Sequence, residues 1–119
     1  MTPTYRNGTV NFVNRISYST AKPKRGDVVA IRMPGEKFLL LKRIIGLPGE
    51  DVAIRRGVVT INRAPLDEPY VLSNRHWNSP ETHLSDDEYF VIGDNRTMDQ
   101  RWHDYGMHKR EDIIGKVIF

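Results

Sequence analysis

The chain contains no cysteine, which excludes disulfides and thiolate metal sites alike and leaves the redox compartment open. It also lacks any apolar run near the roughly 20 residues needed to span a bilayer, and its N-terminus has no leader-like pattern. Long basic tracts are missing too. The 18 Lys and Arg are dispersed among 15 acids, leaving a net charge of +3. A mildly basic solvated surface follows, and nucleic acid is not an expected partner. Aromatics make up only 9% of residues, and neither Trp77 nor Trp102 lies in a strand interleaved with basic residues. Packing, not base stacking, is their expected role.

What is present reads as one domain over residues 1–119, long enough to bury a core. Apolar and charged content, 39% and 28%, are those of an ordinary soluble globular chain. No internal repeat, low-complexity tract or convincing amphipathic helix interrupts it. Strands are predicted at Thr9–Ile16, Asp27–Arg32, Phe38–Ile45, Asp51–Arg55, Val58–Ile61, Glu88–Ile92 and Ile113–Phe119. Turns are predicted at Asn7-Gly8, at Met33-Pro34-Gly35, and at Asn62-Arg63, with Arg56-Gly57 as a tight hairpin. Many short strands divided by Gly, Pro and Asn turns predict an all-β, β-dominated fold. Residues Val71–Asp87 are polar and irregular and read as a surface excursion within that domain.

Most chemistry-bearing residues stay at background level. His76, His83, His103 and His108 lack ligand spacing and read as solvated loop histidines, so no metal site is predicted. Asp86, Asp87 and Glu88 read as a solvated turn. Ser17, Ser19, Ser73, Ser79 and Ser85 include none in a glycine-flanked elbow.

Two stretches stand apart. In Phe38–Gly49 the adjacent cations Lys42 and Arg43 lie inside an apolar strand that Gly46, Pro48 and Gly49 terminate. Neighbours in a strand point to opposite faces, so whichever face is the core, a cation must enter it. Lys42 has two readings. In one it marks an edge strand, its stem snorkelling along apolar surface. In the other its ammonium sits in an apolar pocket, where desolvation favours a neutral amine able to take a proton from a serine hydroxyl. The second stretch, Gly93-Asp94-Asn95-Arg96, follows the buried-looking strand Tyr89–Ile92. It is either a strand-ending turn with a weak Asp–Arg surface pair, or a rigid turn holding backbone close to a reacting centre.

Together these stretches resemble the bacterial type I signal peptidases (leader peptidases). Met1-Thr2-Pro3-Thr4 resembles the tail of the family's Ser-Met-x-Pro-Thr box, and Arg25-Gly26-Asp27-Val28-Val29 its Arg-Gly-Asp-Val-Val strand entry. Lys42-Arg43-Ile44-Ile45-Gly46-Leu47-Pro48-Gly49 resembles its lysine box, and Phe90-Val91-Ile92-Gly93-Asp94-Asn95-Arg96 its C-terminal boxes, with Gly106 and Ile114-Gly115-Lys116 behind them. The likeness covers essentially the whole chain.

The resemblance implies a membrane-anchored serine endopeptidase that removes signal peptides from exported preproteins. It implies a β-rich fold, a serine–lysine dyad and no metal or cofactor. The partners would be preprotein signal peptides and, through an upstream anchor, the membrane, with the domain on the extracytoplasmic side. Lys42 takes the position of the general base. Leu39, Leu40 and Leu41, with Met1, take positions that pair with the extended signal peptide and line its pockets for small residues. Gly93, Asp94, Asn95, Arg96, Asp99 and Arg101 take positions that support the site.

Two departures accompany the match. The family's nucleophilic serine directly precedes the first-box Met, here Met1, so the dyad is expected to be incomplete in this chain and the chain alone inactive. After Arg96 the family continues with Ser and then Asp-Ser-Arg, whereas this chain reads Thr97-Met98-Asp99-Gln100-Arg101. A short gap lets Asp99 and Arg101 stand in for the Asp–Arg pair. Ungapped, an ionised Asp99 would sit beside Lys42 and favour its charged form, so the gapped version is preferred. The alternatives are a related serine–lysine peptidase (pilin-processing or a self-cleaving repressor) and a non-catalytic peptide-binding module.

Overall fold

A computed structural model describes residues 13–14, 22–32, 39–69, 71–73, 77–97, 100 and 105–117. The strands in chain order are β1 (Val13–Asn14), β2 (Val28–Arg32), β3 (Leu39–Gly46), β4 (Asp51–Arg55), β5 (Val58–Ile61), β6 (Ala64–Pro65), β7 (Leu72–Ser73), β8 (Ser79–His83), β9 (Glu88–Ile92), β10 (Asn95–Arg96), β11 (Gly106–Lys109) and β12 (Ile113–Val117). A single 3₁₀ turn, Arg110–Asp112, separates the last two. The β-dominated expectation holds. No helix among the described residues is long and apolar enough to cross a membrane.

β3 is the hinge of the architecture. It lies near the middle of an antiparallel six-stranded sheet ordered β1-β12-β2-β3-β9-β11. Through Gly46 and the Pro48-Gly49 turn it leads directly into a second, four-stranded sheet ordered β6-β5-β4-β8. The connections of the small sheet are short because both turns use left-handed backbone. Arg56 and Gly57 (φ 50° and 80°) and Asn62 and Arg63 (φ 50° and 71°) have the paired positive φ of a type I′ hairpin, whose twist matches the strands it joins.

The apolar residues divide onto two sides of the large sheet. On one side Ile45, Phe90 and Ile92 pack with Val52, Ile54 and Val59 of the small sheet, together with Trp77 and Leu84. On the other, Val29, Ile31, Ile44, Tyr89, Val91 and Ile113 form a second cluster. Ile44 and Ile45 are both fully buried, so the Gly46 end of β3 is covered on both faces. That is why its sequence is a continuous apolar run with no alternation.

Gly46 marks a close approach between the sheets. A Cβ there would lie 2.6 Å from Val52 Cγ2, 2.8 Å from Leu84 Cδ1 and 2.9 Å from Phe90 Cβ. The β3–β9 register slips between Ile44 and Gly46, which lets the strand bend toward the second sheet.

The excursion expected over Val71–Asp87 is only partly a surface feature. Its middle is β8, an edge strand paired to β4. Trp77 and Leu84, on either side of β8, are 1% and 0% exposed and belong to the first apolar cluster. The polar strand is thus held down by one large apolar residue at each end. The expected packing role of Trp77 is met there.

Candidate active site

The conflict posed by two neighbouring cations is settled by opposite faces. Arg43 stands opposite Ile92, a member of the cluster shared with the small sheet. Lys42 stands opposite Val29, a member of the other cluster. Residues directly opposed in a ladder share a face, so each cation enters a different side of the sheet.

Arg43 is tied down. Its Nε and Nη2 donate to the two oxygens of Asp94 at 2.9 and 2.7 Å, and Nη1 donates to the Gly26 carbonyl at 2.8 Å. Asp94 is fully buried, so this is a bidentate pair formed away from water. Its neighbour Arg96 is also fully buried. Arg96 donates to both oxygens of Glu68, at 2.7 and 2.8 Å, and through Nε to the Gly93 carbonyl at 3.1 Å. The weak Asp94–Arg96 surface pair allowed by the sequence is therefore not what forms. The two charges face away into separate buried pairs, one to β3 and one to the segment after β6. Asn95 closes the turn, its Oδ1 accepting from the Thr97 N–H at 3.1 Å and the Thr97 hydroxyl at 2.6 Å. The result is a turn fixed from both sides.

Lys42 is half-buried on the opposite face from this clamp. The β3–β9 ladder reaches Arg43↔Ile92, and one further step of that register sets Lys42 abreast of Gly93. The strand and the turn predicted as separate motifs therefore meet. Upstream of Arg43, Leu39, Leu40, Leu41 and Lys42 pair with Arg32, Ile31, Ala30 and Val29 of β2. Among the described residues, the ladder to β9 does not extend along Leu39–Leu41, so this length of β3 has a strand partner on one edge only. Leu40 and Leu41 are half-buried. An extended peptide can add to such an edge through main-chain hydrogen bonds. Met1, Asp99 and Arg101 lie outside the described residues.

Two supporting carboxylates, Glu68 and Glu50, escaped the sequence reading. Glu68 is the partner of Arg96, and Arg25 pairs with Glu50 where β3 gives way to β4. Arg25 donates to the two Glu50 oxygens at 2.7 and 2.6 Å and to the Ile45 carbonyl at 2.8 Å. Glu50 also accepts from the Leu47 N–H at 2.7 Å. The Arg25 hydrogen bonds above all hold the Glu50 carboxyl below its ordinary range, against the opposing pull of burial. No local signal points to these carboxylates, since each lies 25 to 28 residues from its arginine.

Comparisons with known proteins point to one family. The family model described as "Signal peptidase, peptidase S26" matches residues 1–119. The chain is 33% identical to probable signal peptidase I-1 of Synechocystis, covering 100% of this chain and 65% of that protein. It is 35% identical to signal peptidase I S of Bacillus subtilis, covering 100% and 70%. A crystal structure of a signal peptidase I from Enterococcus faecalis superposes with a TM-score of 0.61 at 30% identity, covering 81% of this chain and 97% of that one. The chain thus spans a little under two-thirds of the length of the Synechocystis relative. With the motifs, the fold and the matched length in accord, the chain belongs to the peptidase S26 signal peptidase family.

Proposed function

We propose that this chain forms the catalytic body of a serine endopeptidase that removes signal peptides from exported preproteins at the extracytoplasmic face of a membrane. One observation carries the reading: Lys42 sits half-buried on an apolar face, at the step of β3 where the β9 ladder stops and the Gly93 turn begins.

In this reading a serine hydroxyl attacks the scissile carbonyl while the neutral Lys42 amine accepts its proton. The lysine then returns that proton to the leaving amine. The serine is the one that the family's first motif places directly ahead of Met1. Leu39, Leu40 and Leu41 receive the signal peptide as an added strand, and their side chains, with Met1, shape pockets for its small residues. The Arg43–Asp94 and Arg96–Glu68 pairs hold the Gly93 turn rigid beside the lysine. Asp99 and Arg101 act as a further supporting pair. No step calls for a metal or cofactor.

The test uses the full-length protein in detergent with a preprotein carrying an Ala-x-Ala cleavage site, its products read by mass spectrometry. Cleavage after the second alanine is expected. Lys42→Met should abolish it with an unchanged melting temperature. Retained cleavage by that variant would remove Lys42 from its role.

A further inference from the structure

A second site lies at the other end of β3. Beyond Gly46 a cleft of about 520 Å³ opens between the β3–β4 turn, the Asp86-Asp87 turn and the 3₁₀ turn. This volume is in the range of ligand-binding pockets. Pro23 and Pro48 form apolar walls, and the lining includes Tyr89. Tyr89 is only 4% exposed, yet its hydroxyl makes no hydrogen bond among the described residues. A buried phenol normally finds a partner, and leaving one unmade is costly. Burial pushes the Tyr89 pKa up, and the Arg110 charge pulls in the opposite direction. Arg110 lines the same cleft.

An acceptor reaching in from the cleft would meet this hydroxyl. The charged lining residues balance, with Lys22 and Arg110 against Asp86 and Asp87. A ligand of one net sign would meet repulsion from half of them. A peptide carbonyl is a neutral acceptor on a chain that packs well against proline rings, and it meets all three conditions. Tyr89 and Leu47 belong to the same apolar cluster as Val29, which opposes Lys42. The cleft is therefore on the Lys42 side of the sheet. Tyr89 lies four residues along β9 from Gly93, about 13 Å at strand rise.

We propose that this cleft is an accessory subsite for the polypeptide substrate, in which the Tyr89 hydroxyl donates to a main-chain carbonyl several residues from the scissile bond. This deepens the proteolytic reading and rests on it. Tyr89 is a specificity-determining residue here and takes no part in the chemistry.

Tyr89→Phe removes only the hydroxyl. In the full-length protein it should raise KM for a preprotein about three- to tenfold, the range of one hydrogen bond, with kcat unchanged. A short peptide confined to three residues on either side of the cleavage site should show no change. Because the hydroxyl makes no hydrogen bond among the described residues, the variant's melting temperature should be equal or higher. An equal KM rise for both substrates, or none for the preprotein, would overturn the proposal. Amide NMR of the Lys42→Met variant, titrated with the uncleaved preprotein segment, gives a readout independent of turnover. Shifts at Tyr89 and Arg110 support the subsite, and their absence rejects it. Should the wild-type protein cleave neither substrate, the proteolytic reading fails while this titration still decides the cleft.

Discussion

Lys42 and Arg43 are consecutive, both cationic and both on β3, yet the fold treats them oppositely. Arg43 is clamped by a fully buried carboxylate and a backbone carbonyl. Lys42 enters the other face opposite Val29, at the end of the β9 ladder. Arginine suits the first position because its planar fork holds a carboxylate bidentately and keeps its charge. Lysine suits the second because an ammonium can give up its proton. In the proposed reading, charge inside a strand serves architecture at Arg43 and chemistry at Lys42, and the surroundings decide which. The arrangement also couples the two, since the residue that anchors the Gly93 turn is the neighbour of the proposed base.

Breaking the architectural half should give the largest loss of stability. Arg43→Ala leaves Asp94 buried without this partner, and a cost of about 3–5 kcal/mol is expected in urea unfolding. Replacing both partners, Arg43→Met with Asp94→Leu, should cost less than Arg43→Ala, because the buried carboxylate is then removed along with its guanidinium. A cost below about 1 kcal/mol for Arg43→Ala would show that the clamp is dispensable.

Gly46→Ala probes the packing between the two sheets at a crowded point. The added methyl meets Val52, Leu84 and the Phe90 Cβ well inside contact distance. Overpacking of about 1–3 kcal/mol should follow, read as a lower melting temperature. A neutral result would mean the two sheets can separate freely at this bend.

Glu50→Gln should have the smallest effect, about 1 kcal/mol at neutral pH, and a distinctive pH signature. The folded Glu50 carboxyl is depressed below its ordinary value of 4.5, chiefly by its hydrogen bonds from Arg25. Its contribution is therefore complete above that value and is lost as pH falls through the lower folded value. The melting-temperature gap between wild type and variant should be widest near pH 7 and close toward pH 3. A gap constant across that range would detach the Arg25 pair from acid stability.

Much of this molecule was legible before any coordinates. The apolar run of β3, the Arg56-Gly57 hairpin and the strands β2, β4, β5, β9 and β12 follow from branching, apolar spacing and turn residues, which act locally. Val13–Asn14 falls inside the predicted first strand, and the rest of that prediction lies outside the described residues. β8 and β11 were missed because Ser79–His83 and Gly106–Lys109 carry no apolar alternation. β8 is an edge strand whose burial comes from flanking Trp77 and Leu84, and sequence patterning within it cannot report that. The Gly93 turn was singled out, but its ion pairs were not foreseeable. Asp94 and Arg96 look like partners at two residues' separation, and tertiary structure instead sends each to a residue 28 or more positions away. The same holds for Tyr89, whose place in the cleft lining depends on turns far from it in sequence.

The central claim is that Lys42 acts by giving up and taking back a proton while Arg43 acts by keeping its charge. The most direct measurement is preprotein cleavage by two full-length variants assayed together, Lys42→Arg and Arg43→Lys. Arginine preserves the cation but cannot be deprotonated, so Lys42→Arg should fall by about a thousandfold or more. Arg43→Lys should retain measurable cleavage with a lowered melting temperature. Cleavage near the wild-type rate by Lys42→Arg would contradict the account, because a permanently charged side chain would then be doing the work assigned to a base.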